Sequence, residues 1–412
     1  MRKVSKTPIK TVCNNVDLNE HNGITKSGYL NIGIKKSDSS LSFIFYGAEG
    51  IPEQQLKHIP TIIWLNGGPG CSSQFGNFYE LGPLYVNKTE SGKLYFTQNK
   101  SGWTKKYNVI FVDQPIGTGI SHLAKNNDIP INQVQLATQF YNALLELYGK
   151  NGCFGQLGLN GKDTPLFILG ESYAGIGIGD GFTSPYHTIS SITDYAFDNG
   201  ITNSTLYQKA KKIELQGQQA INNSDWVNAV NAFNDILLIN NPNNIDQYNI
   251  QRKQEPDYTA LDDLLNSQYG KSLFKLKLNK KYEQCDNEVY QKFLIDLMQG
   301  ECIHKVEYLL DQGIHVSVFN GNLDFIVPYY SSEKWVSQLQ WKYSDEFNNS
   351  FFKEWKGNNN QVYGVLKKYQ NLQYFQVFES GHMVSQDQPE AALEMVTKIV
   401  EEALKQEVYA QF

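Results

Sequence analysis

Ser172 sits in the string Leu169-Gly170-Glu171-Ser172-Tyr173-Ala174-Gly175, directly after an apolar run at Pro165–Leu169. A serine among small residues at the end of a buried strand fits a nucleophile elbow, a tight turn that presents the hydroxyl in a strained conformation. The common pattern is G-x-S-x-G; here Ala174 fills the last place and Gly175 follows. Asp324 closes Asn320-Gly321-Asn322-Leu323-Asp324 after the run His315–Phe319, and His382 closes Ser380-Gly381-His382 after the run Tyr374–Phe378. Taken singly, each is matched by an ordinary turn serine, turn aspartate or loop histidine. Together they give nucleophile, acid and base in that order, each just past the C-terminal end of a strand, the edge where chemistry collects in open α/β sheets. In such a set His382 takes the Ser172 proton and returns it to the leaving group, while Asp324 holds the imidazole tautomer and stabilises the imidazolium. A fourth string, Trp64-Leu65-Asn66-Gly67-Gly68-Pro69-Gly70-Cys71-Ser72-Ser73, also follows a strand-like run. Its clustered glycines let backbone N–H groups come close to a ligand, as an oxyanion hole requires.

The elements that must position these residues are legible as a pattern. Leu41–Tyr46, Pro60–Leu65, Val109–Asp113, Pro165–Leu169, His315–Phe319 and Tyr374–Phe378 are short, β-rich and in several cases nearly continuous in apolar residues. Strands buried on both faces read this way, which predicts a mostly parallel sheet flanked by helices. Helical spacing marks Ile131–Tyr148, through Val134, Leu136, Phe140, Leu144 and Leu147, and Pro389–Leu404, through Leu393, Val396, Val400 and Leu404. From about Thr183 to Tyr282 the chain turns polar and rich in Asn and Gln, with helical signals at Leu206–Leu238 and Tyr258–Leu265. The expected fold is α/β, with the nucleophile–acid–base order of an α/β-hydrolase. Residues 25–182 and 301–412 form its core and residues 183–300 a mainly helical cap insertion.

Composition excludes other classes. The 412 residues are 41% hydrophobic and 13% aromatic, enough for a large core, and the net charge of −6 leaves no basic stripe for nucleic acid. The longest apolar runs are strand-sized, short of the ~20 residues of a membrane span. No G-x-G-x-x-G string opens a helix, no P-loop string occurs and no histidines have HExxH spacing, so neither cofactor nor metal is expected. Five cysteines leave one unpaired within the chain, while sequons at Asn87, Asn99, Asn203, Asn222 and Asn348 lean towards a secretory route. The start Met1-Arg2-Lys3 is basic without the apolar stretch of a signal peptide, which fits either a cytosolic protein or a sequence from which the leader is missing.

At the level of whole strings the chain resembles the serine carboxypeptidases, the family of carboxypeptidase Y and lysosomal cathepsin A. The strings are Trp64–Ser73, Glu80-Leu81-Gly82-Pro83, Val112-Asp113-Gln114-Pro115-Ile116-Gly117-Thr118-Gly119, Gly170–Gly175, Gly179-Asp180-Gly181-Phe182-Thr183 and Gly381-His382-Met383-Val384. The resemblance runs from about Gly28 to Val400 and is weakest in the cap. It implies removal of C-terminal residues from peptides and proteins through an acyl-enzyme on Ser172, with Asp324 and His382 completing the triad. It implies oxyanion N–H groups from Gly68 and Tyr173, a grip on the substrate carboxylate by Asn66, Gly67, Glu80 and Glu171, and a leaving-residue pocket lined by Met383. Two acids can hold an anion only if they share protons, which predicts highest peptidase activity at acidic pH. The resemblance also implies a disulfide between Cys71 and Cys285; Cys153 and Cys302 could then pair, leaving Cys13 free. A lysosomal, vacuolar or secreted location and a possible homodimer follow from the same likeness. Ser385 stands where the family often has proline, so the loop after His382 is expected to differ.

One junction departs from the pattern. Gly175 runs straight into Ile176-Gly177-Ile178-Gly179, a string that resembles the family's next strand. Parallel strands need a crossover of about a dozen residues or more, and an elbow needs a helix behind it. Coding sequence lost between Gly175 and Ile176 accounts for this, as does a damaged paralogue, or a substitute helix from residues such as Thr188–Ala196. If the chain is made as this sequence stands, poor folding and little activity are expected. The other classes left open are an acyltransferase or esterase on the same scaffold and an inactive binding protein.

Overall fold

A computed structural model describes residues 11–34, 36–160, 163–173, 177–278, 280–357 and 360–410. Its strands are β1 (Val12–Val16), β2 (Thr25–Asn31), β3 (Ser40–Tyr46), β4 (Thr61–Leu65), β5 (Leu84–Lys88), β6 (Leu94–Gln98), β7 (Asn108–Asp113), β8 (Leu166–Glu171), β9 (Gly177–Gly179), β10 (Val316–Gly321), β11 (Lys353–Lys356), β12 (Val362–Tyr369) and β13 (Leu372–Val377). Its helices are α1 (Gln133–Tyr148), α2 (Cys153–Leu157), α3 (Pro185–Asp198), α4 (Ser204–Asn222), α5 (Trp226–Asn240), α6 (Thr259–Asn266), α7 (Gln268–Leu273), α8 (Asn287–Gln299), α9 (Ile303–Asp311), α10 (Tyr329–Ser337), α11 (Ser344–Asn349), α12 (Val384–Asp387) and α13 (Pro389–Ala410). All six expected strand runs form, as do both expected helices of the core.

The chain divides into two compact units, residues 1–168 with 257–293 and residues 169–256 with 294–412. The segment expected to form a cap is shared between them. Residues 183–300 carry helices and, among those described, no strand.

In the first unit the strand order is β1-β2-β3-β7-β4, with β4 parallel to β7 and the outer pairs antiparallel. Every residue of β3, β4 and β7 is buried, which is why these runs read as continuously apolar rather than alternating. Trp64 packs edge-on against Trp103 at 5.3 Å behind the glycine string. Helix α1 fits this pattern poorly. It buries only Ala143 and Leu147, and Val134, expected on its core face, is exposed together with Tyr141 and Leu145.

The second unit, which β8 enters at Leu169, has the order β8-β9-β10-β13-β12-β11. β8, β9, β10 and β13 run parallel, and β12 and β11 add an antiparallel edge. Val316, Val318, Leu372 and Tyr374 pack with Val306, Leu310, Trp335 and Leu339 of α9, α10 and the turn after α10. A second cluster joins Ile189, Ile192 and Tyr195 of α3 to Phe233 and Ile236 of α5 and to Phe325. Burial of each such side chain contributes about 1.5–3 kcal/mol. Polar caps set the starts of the helices: Ser184 precedes Pro185 of α3, Asn203 accepts from Thr205 and Leu206, and Asp225 accepts from Asn228.

β8 and β9 pair in parallel, Leu169 opposite Gly177 and Glu171 opposite Gly179, with five residues between the strands. The helix that contains residues 188–196 comes after β9 and packs on α5, so it is not a crossover between these two strands. The junction at Gly175 and Ile176 itself lies outside the described residues.

Candidate active site

Ser172 follows the last residue of β8 with φ +62°. That left-handed conformation is costly for a non-glycine residue and persists only where its surroundings enforce it. Here the Ser172 N–H donates to the Gly179 carbonyl at 2.8 Å, and the Ser172 carbonyl accepts from the Phe182 N–H at 3.3 Å. Glu171, just before it, is buried, and the Tyr173 hydroxyl after it donates to the Asp296 carboxylate.

Asp324 and His382, the expected acid and base, lie in the same unit. Asp324 is fully buried, and its Oδ1 accepts from the N–H groups of Ile326 at 3.0 Å and Val327 at 3.2 Å. Its Oδ2 lies 2.7 Å from His382 Nδ1. The turn therefore aims one carboxylate oxygen at the Nδ1 side of the ring. His382 is 4% exposed, and Met383 beside it is also buried.

A segment treated as cap in the sequence binds both partners. The Gln247 carbonyl accepts from the N–H groups of Phe325 and Ile326 at 3.1 Å, and the Ile250 N–H donates to the Leu323 carbonyl at 3.0 Å. The Tyr248 carbonyl accepts from the His382 N–H at 2.7 Å, and the Tyr248 ring lies 5.4 Å from the imidazole. A Cβ on Gly381 would stand 2.0 Å from that carbonyl, so only glycine allows this approach. Asp387 anchors the loop from the other side. It accepts from the Gly381 N–H at 2.8 Å and from Asn249 Nδ2 at 2.8 Å, and pairs with Arg252. The sequence carried one signal for this strap: Arg252 is one of only two arginines in a chain with 36 basic residues. Its guanidinium bonds to Asp387 through Nη2 and lies 4.0 Å from Asp246 through Nη1. Sequence reasoning also passed over Asp180, which is fully buried and offers a carboxylate oxygen within 4.8 Å of donor atoms of Asp324 and His382. These three are the grouping among the described residues whose donor atoms could surround a cation, but His382 Nδ1 already faces Asp324.

The remaining predicted residues belong to the first unit. Asn66 Nδ2 donates to Glu80 Oε1 at 3.1 Å, and Asn66 Oδ1 accepts from Trp64 Nε1 at 2.8 Å and from the Gly76 N–H at 3.2 Å. Glu80 is 1% exposed at the end of a turn of π-helix, Gly76–Glu80. Gly68 has φ +107°, and the Cys71 N–H donates to the Gly67 carbonyl at 2.9 Å, folding the glycine string back on itself. Ser72 and the Ile120 N–H donate to Asp113, fully buried, and burial pushes its carboxyl up to about 6.

Cys71 pairs with Cys285 as expected. Cys13 pairs with Cys153 and Cys302 is free, which corrects the pairing of Cys153 with Cys302. The cause is the edge strand β1, unrecognised in the sequence, which brings Cys13 to the start of α2 with Cα atoms 5.4 Å apart. The sequon at Asn99 is a structural asparagine: it is buried and its amide donates to the Glu80 and Gly82 carbonyls at 3.0 and 2.9 Å. Among the described residues no helix is long and apolar enough to cross a membrane.

Comparison with known proteins bears on the whole chain. A family model described as "Serine carboxypeptidase" matches residues 17–178 and 175–402, in two pieces that meet at the junction after the elbow. Serine carboxypeptidase S10 family member 1 of Dictyostelium discoideum is 29% identical over 407 residues, covering 91% of this chain and 94% of that protein. Serine carboxypeptidase-like 50 of Arabidopsis thaliana is 30% identical, covering 90% of this chain and 86% of its own length. Among solved structures, the prohormone-processing carboxypeptidase Kex1(delta)p of Saccharomyces cerevisiae superposes with a TM-score of 0.78 at 21% identity, covering 94% of this chain and 93% of that one. This last likeness is one of fold.

Proposed function

The chain belongs to the serine carboxypeptidase family, and from that premise we propose that it removes C-terminal residues from peptides through an acyl-enzyme on Ser172. The observation that carries the reading is the Asp324–His382 contact of 2.7 Å in the same unit as a serine strained at φ +62°. His382 Nε2 takes the Ser172 proton as Oγ attacks the scissile carbonyl, and returns it to the leaving amino acid. Water then repeats the cycle on the ester. N–H groups of Gly68 and Tyr173 meet the oxyanion. Asn66, Gly67, Glu80 and Glu171 grip the substrate carboxylate through shared protons, and Met383 lines the leaving-residue pocket, so peptide turnover is highest at acidic pH. Two disulfides suit an oxidising compartment, and with the remaining sequons they support a lysosomal, vacuolar or secreted location.

The test is release of a free C-terminal amino acid from a blocked dipeptide, with Ser172→Ala as control. Transfer or ester hydrolysis without peptide cleavage would favour the acyltransferase or esterase class. Turnover that climbed steadily from pH 5 to 8 would refute the shared-proton grip. Failure of a fluorophosphonate to label Ser172 would favour an inactive binding protein.

The five-residue link between β8 and β9 supports a second element of the reading: turnover of this chain is held low because the elbow lacks the crossover that would brace it. Sequencing the transcript across the codons of Gly175 and Ile176 tests whether coding sequence is missing there. Normal peptide turnover by the 412-residue chain would overturn the expected impairment.

A further inference from the structure

Asp180 and Asp324 are both fully buried, and no lysine or arginine pairs with either among the described residues. Each offers a carboxylate oxygen to one cluster with His382, all within 4.8 Å. Two carboxylates this close in a dry site cannot both carry charge, so one keeps a proton. The hydrogen bonds decide which. Asp324 accepts from two backbone N–H groups and faces His382, three contacts that favour its anion. Asp180 Oδ1 accepts from the Gly321 N–H at 3.0 Å and from Asn320 Nδ2 at 3.3 Å, while its buried Oδ2 receives no donor. A buried oxygen without a donor, on a residue whose carboxylate lies within 4.8 Å of another, is where a proton belongs. Two other titratable neighbours, the Tyr195 and Tyr374 phenols, bond to the carbonyls of Asn322 and Tyr329, so neither supplies that donor. The backbone keeps the residue in place: the Asp180 N–H donates to the Phe319 carbonyl at 2.8 Å, at φ +43°.

We propose that Asp180 is a positioning residue that stays protonated and donates its proton in a hydrogen bond to Asp324, so the buried pair carries a single negative charge, held on the oxygen set that faces His382. Burial, followed by the nearby Asp324 charge, pushes the Asp180 carboxyl well above its ordinary range, in accord with this. The inference rests on reading Ser172, Asp324 and His382 as the triad.

The test uses the full chain and its Asp180→Asn and Asp180→Gly variants. Asparagine replaces the donor without charge; glycine removes it, and both tolerate the positive φ. The rate of fluorophosphonate labelling of Ser172 is followed against pH. Asp180→Asn is expected to label within about threefold of the parent with its rising limb at the same pH, and Asp180→Gly at least tenfold more slowly. If Asp180 were ionised, replacing it by asparagine would remove a negative charge beside the imidazole and move that limb about one unit lower. Such a shift, or glycine labelling as fast as the parent, overturns the proposal. Restoration of labelling by a divalent cation after chelation would also overturn it, since both carboxylates would then be ionised. Melting temperature supplies a readout independent of labelling. The Asp180→Asn chain gains on the parent as pH rises from 4 to 7, because only the parent must hold a proton that the unfolded chain releases; a constant gap overturns the proposal. An unlabelled parent chain would instead refute the Ser172 reading and leave the melting comparison decisive for Asp180.

Discussion

Asp324 and His382 are held from several directions, by the N–H groups of Ile326 and Val327, the carbonyls of Gln247 and Tyr248, and the Asp387–Arg252 pair behind Gly381. Ser172, in the same unit, is held by Gly179 and Phe182 and then enters a link of five residues to a parallel strand. Asp324 and His382 are thus braced by segments distant in sequence, whereas the backbone hydrogen bonds of Ser172 itself reach only Gly179 and Phe182, with Tyr173 beside it tied to Asp296 and to the cluster of α3 and α5. An αL serine needs outside support to stay strained, and a helix packed behind it ordinarily gives that support. The exposed Val134, Tyr141 and Leu145 of α1 are a further departure from a fully covered core. On the proposed reading of Ser172, Asp324 and His382, the pair fixed by long-range contacts is the robust part of the site and the five-residue link after Ser172 the vulnerable one.

Four experiments would break or sharpen this contrast. The largest effect is expected from Ser172→Ala, which should reduce fluorophosphonate labelling and peptide release to background. Residual labelling at another residue would move the nucleophile and dissolve the comparison. Next, inserting a helix-forming crossover of about fifteen residues between Gly175 and Ile176 should raise turnover at least tenfold. No gain would show that the short link supports the elbow unaided. At the braced end, Arg252→Ala strands the buried Asp387 carboxylate and loosens the His382 loop. It is expected to lower kcat about tenfold with KM nearly unchanged; an unaltered kcat would mean the strap is redundant.

The smallest effect lies away from both ends. Burial raises the Asp113 carboxyl to about 6, above the ordinary 3.8, so the folded chain binds a proton the unfolded chain has lost between those values. Stability therefore falls as pH rises from about 4 to 6, by up to about 3 kcal/mol. Urea unfolding of Asp113→Asn should show this part of the slope removed, and an unchanged slope would assign it to other groups.

The order Ser172, Asp324, His382, the glycine string and the central strands were legible because each is local. A buried strand is a short apolar run, and a loop that must turn sharply or approach a ligand closely needs small residues at fixed places. The antiparallel edge strands β1, β2, β11 and β12 were not, because outer strands carry no continuous apolar run. Without β1, the Cys13–Cys153 bridge could not be read either. The strap at residues 246–252 escaped for a different reason: it acts mostly through the backbone carbonyls of Gln247 and Tyr248, which every residue type possesses. Asp180 was passed over because nothing in Gly179-Asp180-Gly181 reports that Asp324 lies beside it in space. Residue types and spacing determined which chemistry the chain could attempt. Tertiary structure alone decided which buried groups face one another, and with that which carboxyl carries the charge, because the energy of a buried charge depends on the donors and charges around it rather than on its own residue type.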